Sequence, residues 1–227
     1  MTHTVIYYTS NRTPDYFANN VRLHLLSMNI PIISVSHKPL DFGENICVNV
    51  REDRLTPEPS AYNVYKQILI GARKAKTEYI VCCEDDSLYI LEHFTIKPPA
   101  DTFFYNMNRW SVNKHFFYHR RRIGMFACVA PTKLMIDTLE TRFAKYNVPI
   151  PRVKGAIKIG EPGRFESLIG LPPVKLEKFE TKEPILTFNH RFGMASARKP
   201  LATDVIQQFL DPWGQSYYLW VKFWGGK

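Results

Sequence analysis

The sequence predicts a single α/β domain in which a mixed sheet is flanked by helices. Strand and helix patterns alternate through residues 2–83, which is typical of a doubly wound sheet. The segment TEYIVCC, residues 77–83, predicts a strand buried in a parallel sheet because its last five residues are all apolar. Aromatic-rich segments follow from residue 101 and predict further strands, some of them antiparallel.

The first half contains strands separated by amphipathic helices. Residues 2–10 and 31–39 are rich in β-branched and aromatic side chains, and a shorter strand is expected within 40–50. Helices are predicted from Asp15 to Met28 and over residues 61–76, because apolar residues recur there at helical spacing.

The second half is less regular. Strands are predicted over residues 101–112, 114–122, 123–131 and 183–191, the last of them ending at His190. A helix is predicted over 132–147 with Thr132 as its N-cap, and another over 202–211 before a turn at Pro212–Gly214. Residues 148–173 lack a period and contain many prolines and glycines, which is typical of a functional or mobile loop.

Three carboxylates, Glu84, Asp85 and Asp86, follow the buried strand directly. Neighbouring like charges repel each other, and a bound divalent cation turns that repulsion into affinity because hard cations prefer oxygen ligands. On an extended backbone Glu84 and Asp86 point to one side and Asp85 to the other. The alternative is an acidic turn that pairs with local lysine or arginine.

A second strand end carries polar residues. The first strand leads into Thr9, Ser10, Asn11 and Arg12. Ligands of doubly wound sheets bind at the carboxyl ends of the strands, so these residues and the three acids are expected at one site. The sequence contains neither a GxGxxG fingerprint nor a P-loop.

The sequence resembles GT-A-type glycosyltransferases, which have a Rossmann-like mixed sheet, and EDD stands where that superfamily keeps its DxD-type metal motif. The nearer resemblance is to small phage and metagenomic transferases that glycosylate hydroxymethylpyrimidines in DNA. It covers most of residues 4–94 and the late strand ILTFNH. It implies a nucleotide-sugar-binding half, residues 1–94, and an acceptor-binding half, residues 95–227, of one GT-A domain.

The resemblance also implies a nucleotide-sugar donor, a UDP-sugar first, and a divalent metal, Mn²⁺ or Mg²⁺. By position, Asp86 would act in catalysis as a metal ligand, Glu84 would share the metal or hold the ribose, and His190 would be a further metal or phosphate ligand. The implied nucleotide-contacting residues are Thr9, Ser10, Asn11, Arg12, Lys66, Glu84 and Asp85. A solvated helix lysine is the alternative for Lys66, and a hydrogen-bonded structural residue is the alternative for His190.

A hexosyl- or pentosyltransferase that inverts the anomeric carbon needs a general base on the acceptor hydroxyl. Glu161 and Glu166, in the segment GEPGRFE of the long loop, are the candidates, and an ordinary surface glutamate is the alternative for each. A retaining enzyme needs no base of that kind.

The charge of the chain is uneven. The net charge is +9, and residues 101–200 contain 18 Lys and Arg against 8 Asp and Glu, a net of +10. Cations neutralise phosphates and aromatic rings stack on bases, so nucleic acid is a predicted partner, and the resemblance implies DNA. An anionic surface, a phosphate-bearing substrate and a basic solvated face are the alternatives. The predicted acceptor contacts are Tyr105, Asn106, Trp110, Arg120, Arg121 and Arg122. The alternatives for the acceptor or the function are a polysaccharide, a lipid-linked sugar, and a non-catalytic nucleic-acid-binding module.

The expected location is the cytoplasm, or the host cytoplasm if a phage encodes the chain. No apolar run approaches the roughly 20 residues of a membrane span, and the N-terminus lacks the pattern of a signal peptide.

Overall fold

A computed structural model describes residues 2–53, 55, 60–119, 121–146, 160–164, 166–193 and 200–225. The described strands are β1 (His3–Thr9), β2 (Ile32–Ser36), β3 (Glu44–Cys47), β4 (Tyr79–Glu84), β5 (Ser87–Leu88), β6 (Thr102–Asn106), β7 (Arg109–Val112), β8 (Phe117–His119), β9 (Cys128–Pro131), β10 (Lys175–Phe179), β11 (Ile185–Phe188), β12 (Val205–Gln207), β13 (Phe209–Leu210) and β14 (Gly214–Gln215). The described α-helices are α1 (Asp15–Leu26), α2 (Ala61–Lys74), α3 (Thr132–Lys145) and α4 (Ser216–Trp224).

The main sheet has seven strands in the order β10-β6-β9-β4-β1-β2-β3. Strand β9 runs antiparallel to both of its neighbours, and the other six strands share one direction. The carboxyl ends of β1, β2 and β4 therefore lie side by side at one edge. The predicted α/β class, with a mixed sheet flanked by helices, is confirmed.

A second sheet of five strands, in the order β12-β8-β7-β11-β5, begins immediately after the acidic residues. Its strand β5 starts at Ser87 and pairs antiparallel with β11, and β11 runs parallel to β7. The backbone N–H of Phe188 at the end of β11 donates to the carbonyl of Asp86, at 2.8 Å. The two sheets therefore meet at the acidic turn.

Alternating side chains of the central strands supply the two sides of the core. Ile6 of β1 and Cys82 of β4 pack with helices α2 and α3 on one face. Tyr7 and Cys83, one residue further along each strand, pack on the opposite face, where Leu25 of α1 also lies. A third apolar cluster joins α1, the second sheet and α4.

Two local predictions are wrong. Residues 202–211, predicted as a helix, contain β12 and β13 instead, because VIQQFL carries β-branched and aromatic residues that suit a strand equally well. Thr132 is the first residue of α3 and not its N-cap, and its hydroxyl donates to the carbonyl of Thr77 at 2.8 Å. The aromatic tail forms α4, whose buried Leu219 and Phe223 are four residues apart.

No helix in these ranges is both long enough and apolar enough to span a membrane.

Candidate active site

A pocket of about 90 Å³ opens at the carboxyl ends of β1 and β4, and we call it the acid pocket. It lies there because β1 and β4 are parallel neighbours, with Tyr8 opposite Glu84 in the strand register. Its lining residues are Tyr8, Thr9, Ser10, Thr13, Ser60, Asn63, Val64, Gln67, Glu84, Asp85, Asp86, Phe192 and Gly193.

All three predicted carboxylates line the acid pocket, including Asp85, which was expected to point away. Strand alternation does not apply to Asp85 because β4 ends at Glu84 and residues 85–86 form a turn into β5. The alternative of an acidic turn paired with lysine or arginine is not observed, since no Lys or Arg ion pair of these three acids is found among the described residues.

Hydroxyl groups from three strands, β1, β5 and β11, hold the carboxylates in place. The Tyr8 hydroxyl donates to Glu84 Oε1 at 3.0 Å, and the Thr9 hydroxyl donates to Asp85 Oδ2. Asp86 Oδ1 accepts from the hydroxyls of Ser87, at 3.2 Å, and Thr187, at 3.3 Å. Each carboxylate therefore has a fixed orientation before any ligand binds.

Burial and mutual repulsion disfavour the ionisation of Glu84 and Asp85. Burial, followed by the charge of Asp86, raises the pKa of Glu84 to about 8, against the opposing hydrogen bond from Tyr8. The same two causes raise the pKa of Asp85 to about 6, against the hydrogen bond from Thr9. A divalent cation in the pocket would relieve this repulsion.

His190 lies beside Asp86, as predicted, with its Nε2 atom 3.2 Å from Asp86 Oδ2. Its Nδ1 atom accepts a hydrogen bond from the backbone N–H of Phe192 at 3.2 Å. A neutral imidazole whose Nδ1 accepts carries its proton on Nε2, so we assign Nε2–H as the donor to Asp86. This tautomer makes His190 a residue that orients Asp86, and the predicted role as a metal ligand would require the hydrogen bond from Phe192 to break.

Aromatic rings pack against the imidazole of His190. The ring of Trp224 lies 5.0 Å from that of His190, and the ring of Phe17 lies 5.7 Å away. Trp224 also stacks on Phe17, at 4.1 Å, and on Phe192, at 6.3 Å. The C-terminal helix α4 therefore contributes to the position of His190.

The site fits a hard divalent cation held partly by substrate. Over the described residues, no three His, Cys, Asp or Glu side chains are arranged to hold a metal by themselves, so the predicted set of Glu84, Asp86 and His190 is not preformed. Mg²⁺-type sites commonly use one or two carboxylates and complete their coordination with substrate phosphates and water. Glu84 and Asp86, two carboxylates close enough to repel each other, match that donor set.

The four predicted polar residues at the end of β1 are divided between two cavities. Thr9 and Ser10 line the acid pocket. Asn11 and Arg12 line a neighbouring cleft of about 500 Å³, which we call the basic cleft. Lys66 lines neither cavity, because its ammonium lies 4.2 Å from the centre of the Phe143 ring on the side of α2 that faces α3.

Neither predicted general base reaches the acid pocket. Glu166 is 3% exposed and forms an ion pair with the buried Arg142, and its Oε2 accepts from the backbone N–H of Gly163 at 2.9 Å. Glu161 faces Arg164 at 3.4 Å. Glu166 therefore has a structural role in the described segment around Gly163, and its sequence context did not reveal the partner because Arg142 lies 24 residues earlier.

We expect Arg142→Met to lower the free energy of unfolding by about 3–5 kcal/mol, because it removes the cation of a buried ion pair with Glu166. Urea denaturation measures the loss. The double variant Arg142→Met/Glu166→Gln removes both charges and is expected to recover most of it. If the free energy of unfolding of Arg142→Met were within about 0.5 kcal/mol of the wild-type value, the structural role of the ion pair would be contradicted. A double variant that is as stable as the wild type but inactive would also contradict a purely structural role for Glu166.

The predicted acceptor contacts are only partly at the surface. Tyr105 and Asn106 are fully buried, where the Tyr105 hydroxyl donates to the carbonyl of Pro162 and the Asn106 amide donates to Thr181. Their prediction as acceptor contacts is wrong, because β6 is an inner strand of the main sheet. Trp110 is half-buried and stacks on His119, at 4.9 Å.

The arginines of that segment differ from its aromatic residues. Arg121 and Arg122 are exposed, and Arg120 lies outside the described residues. The segment therefore has charge at the surface, whereas Tyr105 is buried and Trp110 is half-buried.

Sequence reasoning missed several residues of the acid pocket. Tyr8 resembles an ordinary core residue of the strand VIYYT, and nothing in the sequence indicates its bond to Glu84. Gln67 gives a clearer signal, since it is a polar residue on the apolar side of α2. Its amide donates to the carbonyls of Thr9, at 2.9 Å, and Val35, at 2.8 Å, and so fixes the ends of β1 and β2.

No protein-family model and no curated protein matches this sequence. Among solved structures, the chain is similar to a glycosyltransferase involved in glycosylation of the major capsid of PBCV-1, with 9% identity and a TM-score of 0.48 over 82% of this chain and 92% of that one. It is similar to S. aureus TarS in complex with UDP-GlcNAc, with 10% identity and a TM-score of 0.48 over 84% of this chain and 59% of that one. It is also similar to HddC from Yersinia pseudotuberculosis, with 12% identity and a TM-score of 0.42 over 82% of this chain and 93% of that one. At these identities and TM-scores the similarities assign neither family nor activity.

Proposed function

We propose that this chain is a metal-dependent GT-A-type glycosyltransferase that uses a nucleotide-sugar donor, a UDP-sugar first. The observation that carries the proposal is the convergence of Glu84, Asp85 and Asp86 in one pocket at the carboxyl ends of β1 and β4. That position is where a doubly wound sheet binds its ligands. The mutual repulsion of the carboxylates there lowers the stability of the protein unless a cation binds. A non-catalytic module would have no use for that arrangement.

In this proposal the side chains of the pocket position the donor. Asp86, oriented by His190 and two hydroxyls, and Glu84, oriented by Tyr8, would hold Mn²⁺ or Mg²⁺ together with the donor phosphates. The cation would supply Lewis-acid stabilisation of the charge that develops on the leaving diphosphate. Thr9, Ser10 and the pocket-lining residues Asn63 and Gln67 of α2 would contact the nucleoside.

We further propose that the acceptor is the hydroxymethyl group of a 5-hydroxymethylcytosine-type base in DNA and that the transferred group is a hexose or a pentose. The net charge of +9 supports a polyanionic partner. In the reaction the acceptor hydroxyl oxygen attacks the anomeric carbon, the bond from that carbon to the phosphate oxygen breaks, and the nucleoside diphosphate leaves with the electron pair. The proton of the acceptor hydroxyl passes to the departing phosphate oxygen or to solvent. Residues 1–94 would bind the donor and residues 95–227 would contribute to the acceptor side.

The test is to incubate the protein with Mn²⁺, a panel of nucleotide sugars, and DNA with or without 5-hydroxymethylcytosine. Digestion to nucleosides and mass spectrometry are expected to show a hexose or pentose increment only on the modified base. Release of nucleoside diphosphate without that increment would contradict the DNA acceptor and favour a polysaccharide or lipid-linked sugar. Neither product with any donor would contradict the transferase.

A further inference from the structure

The basic cleft lies next to the acid pocket, on the other side of the loop that follows β1. Its lining residues are Asn11, Arg12, Thr13, Pro14, Asp15, Asn19, Arg22, Lys38, Pro39, Leu40 and Asp41. Thr13 lines both cavities, so a ligand that fills the cleft lies one loop away from the three acids. Its volume of about 500 Å³ is in the range of ligand-binding sites.

Cationic side chains are concentrated in this cleft. Residues 1–50 contain three Lys and Arg, namely Arg12, Arg22 and Lys38, and all three line it. In the part of the chain that the structure describes, none of the three is ion-paired with a carboxylate. Asp15 and Asp41 also line the cleft and reduce its net charge to +1, so anion binding there would depend on direct contacts with the guanidinium and ammonium groups.

The loop between the two cavities is held in a fixed conformation. Asn11 adopts the left-handed region, with φ of 55°. Its backbone N–H donates to the Thr9 hydroxyl, and its Oδ1 accepts from the backbone N–H of Lys38, both at 2.9 Å. Because the Thr9 hydroxyl donates onward to Asp85, a continuous path of hydrogen bonds joins the Lys38 backbone at the cleft to the acids.

A series of aromatic ring contacts runs from Tyr16, the neighbour of Asp15 in the chain, to Phe192 of the acid pocket. Tyr16 follows Asp15 of the cleft in the chain and is 56% exposed. Its ring packs edge-to-face with that of Trp224, and the ring centroids are 6.2 Å apart. Trp224 in turn stacks on Phe192, which lines the acid pocket. Proteins that bind single-stranded nucleic acid combine a cationic groove for the phosphates with aromatic rings for the bases.

We propose that the basic cleft binds backbone phosphates of single-stranded or extruded DNA, with Arg12, Arg22 and Lys38 as the phosphate contacts and Tyr16 as a stacking surface for a base. This inference rests on the proposed DNA acceptor and names its binding surface. It places the phosphate contacts among residues that the sequence assigned to the donor half. It also gives the exposed Tyr16 the stacking role that the buried Tyr105 cannot perform.

The test is the salt dependence of binding to a fluorescent single-stranded 12-mer oligodeoxynucleotide, measured without donor or metal. We expect Arg12→Gln/Lys38→Gln to reduce the slope of log K against log salt by about 1.4, since each phosphate contact removed from a single strand contributes about 0.7. The matched control Lys97→Gln/Lys178→Gln removes two exposed charges outside the cleft and is expected to keep the wild-type slope. Tyr16→Ala is expected to weaken binding at least about fivefold without changing the slope.

Three outcomes would overturn the inference: no binding by the wild type, an unchanged slope in the cleft variant, or an equal fall in the control variant. A cleft variant with an unchanged slope and a raised KM for acceptor-free donor hydrolysis would assign the cleft to the donor diphosphate. Because the binding assay needs no transfer, DNA binding through the cleft by a protein that transfers no sugar would contradict only the proposed function.

Discussion

Asp86→Asn is expected to abolish metal-dependent use of the nucleotide sugar, with a loss of at least about 10³-fold in kcat/KM. The substitution keeps the shape of the side chain and its contacts with Ser87 and Thr187 but removes the charge that would hold the cation. Lewis-acid stabilisation of a leaving group amounts to several kcal/mol, and each 1.36 kcal/mol is about tenfold in rate. Release of nucleoside diphosphate in the presence of Mn²⁺ measures the loss.

Direct binding of Mn²⁺, followed by its electron paramagnetic resonance signal, gives a second measurement that does not depend on turnover. Asp137→Asn is the matched control, because Asp137 is an exposed carboxylate on α3 that pairs with Lys133. An Asp86→Asn protein that binds Mn²⁺ as tightly as the wild type would refute the assignment of Asp86 as a ligand.

Glu84→Gln is expected to stabilise the metal-free protein above pH 8 while reducing its activity. The folded-state pKa of Glu84, about 8, lies above its ordinary value of 4.5, chiefly because of burial. A carboxyl group with a raised pKa contributes stability that is fully present below pH 4.5 and is lost as the pH rises through 8. The loss amounts to no more than about 5 kcal/mol, since one pKa unit corresponds to about 1.36 kcal/mol.

Urea denaturation at pH 5 and pH 9 in the presence of a chelator measures this effect. The wild type is expected to lose stability between the two pH values, and Glu84→Gln is expected to show a smaller loss. Glu180→Gln, at an exposed position on the loop after β10, serves as the control and should retain the wild-type dependence. If the two variants show the same pH dependence, Glu84 is not the titrating group.

The part of the site that the sequence predicted is the part that lies on parallel strands. Apolar runs identify β1 and β4, and the geometry of a parallel sheet then brings Thr9 and the three acids together without further information. Rules of this kind require only the strand pattern. His190 was predicted beside the acids from the family resemblance instead, because the strand pattern alone does not show where β11 ends in space.

The missed residues depend on contacts between distant parts of the chain. Glu166 reads as a surface glutamate because its partner Arg142 is on another element, and Tyr105 reads as a groove residue because strand order is not visible in a single sequence. The basic cleft was missed for the same reason: Arg12, Arg22 and Lys38 are 10 and 16 residues apart and become neighbours only after α1 and β2 have formed.

The turn at residues 85–86 connects the two sheets, because Phe188 and Thr187 of β11 donate hydrogen bonds to Asp86. Replacing the second sheet with another sheet would therefore disturb the position of Asp86. A chimaera of this protein would have to retain β5 and β11 together, and its exchanged strands would have to be β7, β8 and β12.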